Sequence, residues 1–140
     1  MREFFTVAVL VATVASGIRL ATPYAFAALG ETLGQRSGVL NLGVEGQMLL
    51  GAFAAFYMTL STGSLWLGVL TAMFVGALMG LAMAYVTVNL QAEQGISGIG
   101  FYLFGLGMSD LLFQKLMGTV ETVKGFPKIY IPGLSDIPGI

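Results

Sequence analysis

No Asp, Glu, Lys or Arg occurs between Glu45 and Glu93. That uncharged run restricts the fold more than any other feature, because about 20 apolar residues already cross the hydrocarbon of a bilayer as a helix. The chain around it is no less greasy, with 56% hydrophobic and 9% charged residues. A soluble domain carries about 25% charged residues, so this chain cannot cover a water-facing surface. It reads as an integral membrane protein. Within the run, Ser61-Thr62-Gly63-Ser64 is a short polar turn. It separates Gln47–Leu60 from Leu65–Leu90, and the two segments make an antiparallel helical hairpin.

Ahead of the hairpin lies Gly30 to Gly51, GETLGQRSGVLNLGVEGQMLLG, with Glu31, Arg36 and Glu45 and glycines at 30, 34, 38, 43, 46 and 51. Lipid cannot satisfy free backbone N–H and C=O groups, so irregular backbone at membrane depth survives only against protein or a wet cavity. Because a charge-free helix begins just after Glu45, that placement is favoured over a solvated loop.

Upstream, Phe4–Ile18, Arg19 and Leu20–Gly30 read as one retained helix from about Phe4 to about Leu29, kinked near Pro23. Ala25-Phe26-Ala27 has the form of a signal-peptide cleavage site, but Glu3 cancels Arg2, and Arg19 and Pro23 interrupt the approach. Downstream, Gln91-Ala92-Glu93-Gln94 is a polar connector and Ile96–Leu116 a last span. Prolines at 127, 132 and 138 then indicate a surface loop or a lead-in to another segment. The expectation is an all-α polytopic helical bundle with about four transmembrane helices, near residues 5–29, 42–61, 65–90 and 95–116. A broken, glycine-rich segment lies between the first two.

Several chemistries are excluded. The formal charge of −1 offers no basic patch for nucleic acid. Cysteine and histidine are both absent, which removes disulfides, thiolate chemistry, Cys/His zinc sites and His-based acid–base catalysis. No Walker A, G-x-G-x-x-G or G-x-S-x-G motif appears, so ATP hydrolysis is not encoded here. No catalytic residue, metal ligand or cofactor is expected, and the chain does not read as an enzyme.

Four polar residues are candidates for facing a solute: Asn41, Glu45, Gln47 and Ser97. An ionisable residue within a membrane segment costs about 2.5–3.5 kcal/mol on insertion scales and usually faces a cavity or partner. Glu45 therefore either lines a path or caps the following helix at the interface, where the helix dipole favours a carboxylate. Asn41, at i, i+4 from Glu45, either shares its space or serves as an N-cap. Gln47, Gln94, Ser97 and Tyr102 either bond a hydroxylated solute or a neighbouring helix. Glu31 and Arg36 read as interfacial, as does Asp110 near Gln114 and Lys115. Separately, Ser64, Gly68, Ala72, Gly76, Gly80 and Ala84 recur every four residues and suggest a ridge for close helix approach.

The order of residues from Arg36 to Gly46, RSGVLNLGVEG, resembles the signature of permease subunits of ATP-driven (ABC) importers for nucleosides and simple sugars, in the branched-chain amino acid/ribose-type permease family. Ala21-Thr22-Pro23 with Ala27-Ala28-Leu29-Gly30-Glu31, Gly51-Ala52-Phe53, Gly95-Ile96-Ser97-Gly98-Ile99-Gly100 and the terminal IPGLSDIP are similar to further parts of that family. Family members are considerably longer, so residues 1–140 are expected to form a single transmembrane permease domain, the N-terminal half of such a subunit, with 117–140 a loop leading to further helices.

The resemblance implies a multi-pass subunit in the bacterial plasma membrane. It also implies an ATP-binding subunit, a second permease subunit and an external solute-binding lipoprotein as partners. Counting Arg2, Lys115, Lys124 and Lys128 by the positive-inside rule places both ends in the cytoplasm. The resemblance instead puts the proline-rich loop and the N-terminus outside, and that orientation is the one expected. The competing reading is a small polytopic membrane protein with a structural or assembly role and no transport of its own.

Overall fold

A computed structural model describes residues 6–117, with 122, 125–127, 130 and 132. The described residues form four long helices: α1 (Val7–Arg36), α2 (Val44–Thr62), α3 (Leu65–Ala84) and α4 (Gln94–Met117). The expected terminal loop lies largely outside the described residues. Contacts divide the chain into two units, residues 1–29 with 127–140 and residues 30–126.

In the first unit the described structure is the N-terminal part of α1. The helix runs without interruption through Pro23. Thr13 and Thr22 turn their hydroxyls back onto the Val9 and Ile18 carbonyls, at 2.8 and 2.9 Å. This satisfies each hydroxyl without water, as hydrocarbon surroundings require. No residue of α1 is buried.

In the second unit α1 continues seven residues beyond the expected end at Leu29. Gly30 and Gly34 make this stretch look broken in sequence, yet Gln35 Nε2 donates to Glu31 Oε1 at 3.1 Å across one helical turn. The actual stop is a Schellman motif. Gly38 adopts φ +85°, its N–H reaches the Gln35 carbonyl at 3.0 Å, and the Val39 N–H reaches Gly34 at 3.1 Å. Irregular backbone is thus confined to residues 37–43, a much shorter break than Gly30–Gly51.

The hairpin forms as the turn chemistry dictates. Gly63 ends α2 in the left-handed conformation, and Ser64 Oγ caps α3 by accepting from Leu67 N–H. Among the described residues, three helical stretches are long and apolar enough to cross a membrane: Val7–Arg36, Leu65–Asn89 and Gln94–Met117. The fourth helix, α2, has 19 residues and carries Glu45 in its first turn.

Helix α2 packs against both α3 and α4. On the α3 side, Gly68 faces the Ala55 carbonyl and Thr59, and Gly51 faces the Ala72 carbonyl. Gly76 and Gly80 meet nothing within 4 Å. The four-residue ridge is therefore only partly used inside this chain. At 100° per residue, a step of four overshoots a full turn by about 40°, so the ridge winds around α3 instead of holding one face. On the α4 side, Gly43 and Gly46 abut Gly98 and the backbone of Tyr102. Most large apolar side chains stay exposed, Trp66 at 71% and Phe74 at 64% among them. That is the surface expected where lipid or further helices replace water.

Candidate functional site

The irregular segment 37–43 is held by side chains from both flanking elements. From α1, Glu31 Oε1 accepts the Asn41 N–H at 3.0 Å. From α4, Gln94 Oε1 accepts the Leu40 N–H at 2.7 Å while its Nε2 donates to the Gly38 carbonyl at 3.1 Å. Three backbone groups of the break are thereby paired with protein, the condition irregular backbone must meet in a bilayer.

Asn41 sits at the centre of this segment. Its Oδ1 accepts the Gly43 N–H at 2.9 Å, an Asx turn that leads into α2. Oδ1 being so engaged, Nδ2 points the other way and donates to Gln47 Oε1 at 3.2 Å. Gln47 must then present its oxygen to Asn41, which turns its Nε2 inward. That nitrogen is buried and has no hydrogen-bond partner. Flipping Asn41 would set its NH2 against the Gly43 N–H, so exchanging the two amides does not remove the orphan. A buried donor left unpaired costs about 1–3 kcal/mol.

Of the four candidates, the structure brings Asn41 and Gln47 together. Asn41 precedes α2 and is not part of it, so the helical i, i+4 relation to Glu45 does not form. Glu45 lies exposed in the first turn of α2 and, among the described residues, has no hydrogen-bond or ion-pair partner. Ser97 is half-buried in α4, its N–H bonded to the Glu93 carbonyl at 3.0 Å. Asp110 accepts from Gln114 Nε2 at 2.8 Å, the local pairing read from its spacing.

Two contributors were not singled out from the sequence. Glu31 read as interfacial although it grips the segment beside Gln94, which read as bonding either a solute or a neighbouring helix. Glu93 read only as connector, yet its carboxylate accepts the Gly95 and Ile96 N–H groups at the start of α4. Those two backbone bonds hold its pKa below the ordinary carboxylate value. The Arg36-Ser37-Gly38 order was the available signal for the stop of α1, glycine being the preferred residue there. Nothing in sequence spacing announces the 54-residue reach from Gln94 to Leu40.

A groove of about 670 Å³ lies between α2 and α4, lined by Leu49, Phe53, Phe56, Phe113 and Asp110 among others. Ser109 on its wall donates to the Leu106 carbonyl and Asp110 is engaged by Gln114. Lined mostly by apolar and aromatic side chains, the groove suits apolar side chains or lipid better than a hydroxylated solute. The aromatics support this reading, Phe53 stacking on Tyr57 and Phe56 tilting on Phe113.

Comparison with known proteins decides the family. The model for the branched-chain amino acid transport system / permease component matches residues 13–137. The chain belongs to that family. Among its relatives, the guanosine ABC transporter permease protein NupQ of Bacillus subtilis is 37% identical over 127 residues, covering 84% of this chain and 40% of that protein. A putative glucose ABC transporter permease protein, TsgC13 of Haloferax volcanii, is 37% identical over 115 residues, 82% of this chain and 34% of its own length. The nucleoside ABC transporter permease protein NupC of Lactococcus lactis is 31% identical over 135 residues, 91% of this chain and 43% of its own.

This permease-family chain therefore spans well under half the length of these relatives. No solved structure gives a significant match. Family and apolar helices together make the chain a multi-pass plasma-membrane protein.

Proposed function

We propose that the chain, residues 1–140 acting as one transmembrane permease domain, forms part of the membrane-spanning subunit of an ABC importer for a nucleoside or simple sugar. The path it helps to line is passive. An ATP-binding subunit supplies the hydrolysis, a second permease subunit completes the path, and an external solute-binding lipoprotein delivers the solute. Relatives named for guanosine, glucose and nucleoside transport support this reading over a purely structural role.

The observation that carries the site is the amide pair Asn41–Gln47, with a buried donor left without an acceptor in a chain whose Thr13, Thr22 and Thr87 hydroxyls bond their own helices. Hydroxylated solutes and nucleobases both offer the oxygen or ring-nitrogen acceptors that such a donor takes. In this proposal Asn41 and Gln47 contact the solute directly, and Glu45 and Ser97 border the same path.

Uptake of radiolabelled guanosine and glucose by proteoliposomes holding the complete transporter tests it. Asn41→Ala and Glu45→Ala are expected to cut uptake per assembled complex strongly while the subunit still inserts. Glu45→Gln separates the need for charge from the need for hydrogen bonding. Normal uptake by both alanine variants, with only abundance or thermal stability reduced, would sink the site assignment and leave the segment as architecture.

A further inference from the structure

Gln94 is the first residue of α4, yet its side chain serves another part of the chain. Its amide oxygen takes one backbone N–H and its amide nitrogen gives to one backbone carbonyl, two residues apart in the sequence. This two-point grip resembles the donor–acceptor pairing that a neighbouring strand offers, and it fixes the path of residues 38–40 more firmly than either bond alone. Asn41 follows directly, and Asn41 orients Gln47.

The residues that carry Gln94 are conformationally unusual. Helix α3 passes into a π-helical turn, Tyr85–Asn89, and Gln91 then adopts φ +53° without being glycine. Wide turns of this kind concentrate where helices must adjust for function, and a non-glycine residue in the left-handed region is strained. Thr87 is buried in that turn and bonds the Met83 carbonyl at 2.9 Å. Four residues after it, the connector reorients the chain into α4. A strained connector, a two-point grip and the amide pair thus follow one another in space.

We propose that Gln94 is a positioning residue for the Asn41–Gln47 pair, transmitting the setting of the α3–α4 connector to the segment that starts α2. The proposal rests on the reading of that pair as solute-contacting. A movement of the connector that withdraws Gln94 releases Gly38 and Leu40 together and leaves Asn41 held by Glu31 and the Gly43 N–H, so the segment that places the pair loosens.

The test uses the assembled transporter in proteoliposomes and reads two quantities. The first is the rate at which a membrane-impermeant maleimide labels Leu40→Cys. The second is the KM for guanosine uptake, normalised to assembled complex. Gln94→Leu removes both bonds, and at about 1 kcal/mol each the labelling rate is expected to rise roughly tenfold or more. Gln94→Glu keeps an acceptor for Leu40 but cannot donate to Gly38, so an intermediate rise is expected. It carries the test if the leucine variant fails to assemble. KM should rise in the same order.

Unchanged labelling in both variants overturns the proposal, whatever transport does. Raised labelling with KM unchanged overturns it too, because the segment would then move without the solute sensing it. If the unmodified assembly takes up neither guanosine nor glucose while labelling rises in the variants, the transport reading falls and Gln94's hold on the segment stands.

Discussion

Gly46 of α2 and Gly105 of α4 meet backbone to backbone. A Cβ on Gly46 would lie 2.6 Å from the Tyr102 carbonyl oxygen, and one on Gly105 would overlap the Gly46 peptide. Without a hydrophobic drive between helices in lipid, such close approach is how they associate. Gly105→Ala should therefore destabilise the α2–α4 contact by about 1–3 kcal/mol, the usual cost of overpacking. Gly107→Ala, in open space two residues on, should be near neutral. Thermal unfolding in detergent micelles of the two variants checks the contrast, and equal behaviour would remove the crossing from the account.

The winding ridge on α3 leads to a second contrast. Gly68→Ala should lower the stability of the chain itself, since its Cβ would overlap the Thr59 hydroxyl. Gly76→Leu and Gly80→Leu should leave that stability within about 0.5 kcal/mol, because nothing in this chain meets them. Their effect is expected in association with further helices, more than for Ala77→Leu beside them. A membrane-association assay alongside unfolding separates the two outcomes.

How much of this was legible in the sequence depends on the kind of contact. The hairpin was, because Ser61-Thr62-Gly63-Ser64 is turn chemistry inside an uncharged run. The extension of α1 to Arg36 was not, since two glycines masked a helix that ends only where Gly38 supplies a left-handed residue. At the site, helical spacing pairs Asn41 with Glu45 only if both lie in one helix, and Asn41 lies outside it. Its partner is Gln47, another of the polar residues the sequence singles out. Gln94 read as bonding a solute or a neighbouring helix, but its partners Gly38 and Leu40 are set by tertiary approach and were not legible.

Acid should weaken the start of α4. The folded pKa of Glu93 is depressed from 4.5 by the Ile96 and Gly95 N–H groups. Its stabilisation is therefore fully present above the unfolded carboxylate value and is lost as pH falls through the lower folded value. Compared across pH, wild type should melt above Glu93→Gln at neutral pH, and the gap should close in acid. A gap that stays constant down to strongly acidic pH would remove the carboxylate from the cap.

Gln47→Met isolates the orphan donor. The substitution keeps length, removes a buried unpaired N–H and gives up one bond to Asn41. The two effects oppose each other, so stability should shift by no more than about 1 kcal/mol, while guanosine uptake per complex should fall sharply. A large loss of stability with intact uptake would make Gln47 a structural residue.

Orientation is checked by single cysteines. Thr62→Cys in the hairpin turn and Thr122→Cys beyond α4 should both react with an impermeant reagent added outside the cell. Exclusive reaction of Thr122→Cys from the cytoplasm would reverse the assignment and restore the positive-inside count.

The hydrogen bond from the Gly43 N–H to Asn41 gives the amide pair a direction. A main-chain group cannot rotate to exchange donor for acceptor, so the polarity it imposes passes through Asn41 to Gln47 and emerges there as a donor. A free glutamine is chemically two-faced, but this one is not. In the proposed path, a solute would have to meet it with a lone pair, since a proton would find two hydrogens opposed. The donor at position 47 is thus set from the backbone, and a carboxylate there, as in Gln47→Glu, would still accept from Asn41 but turn that donor into an acceptor.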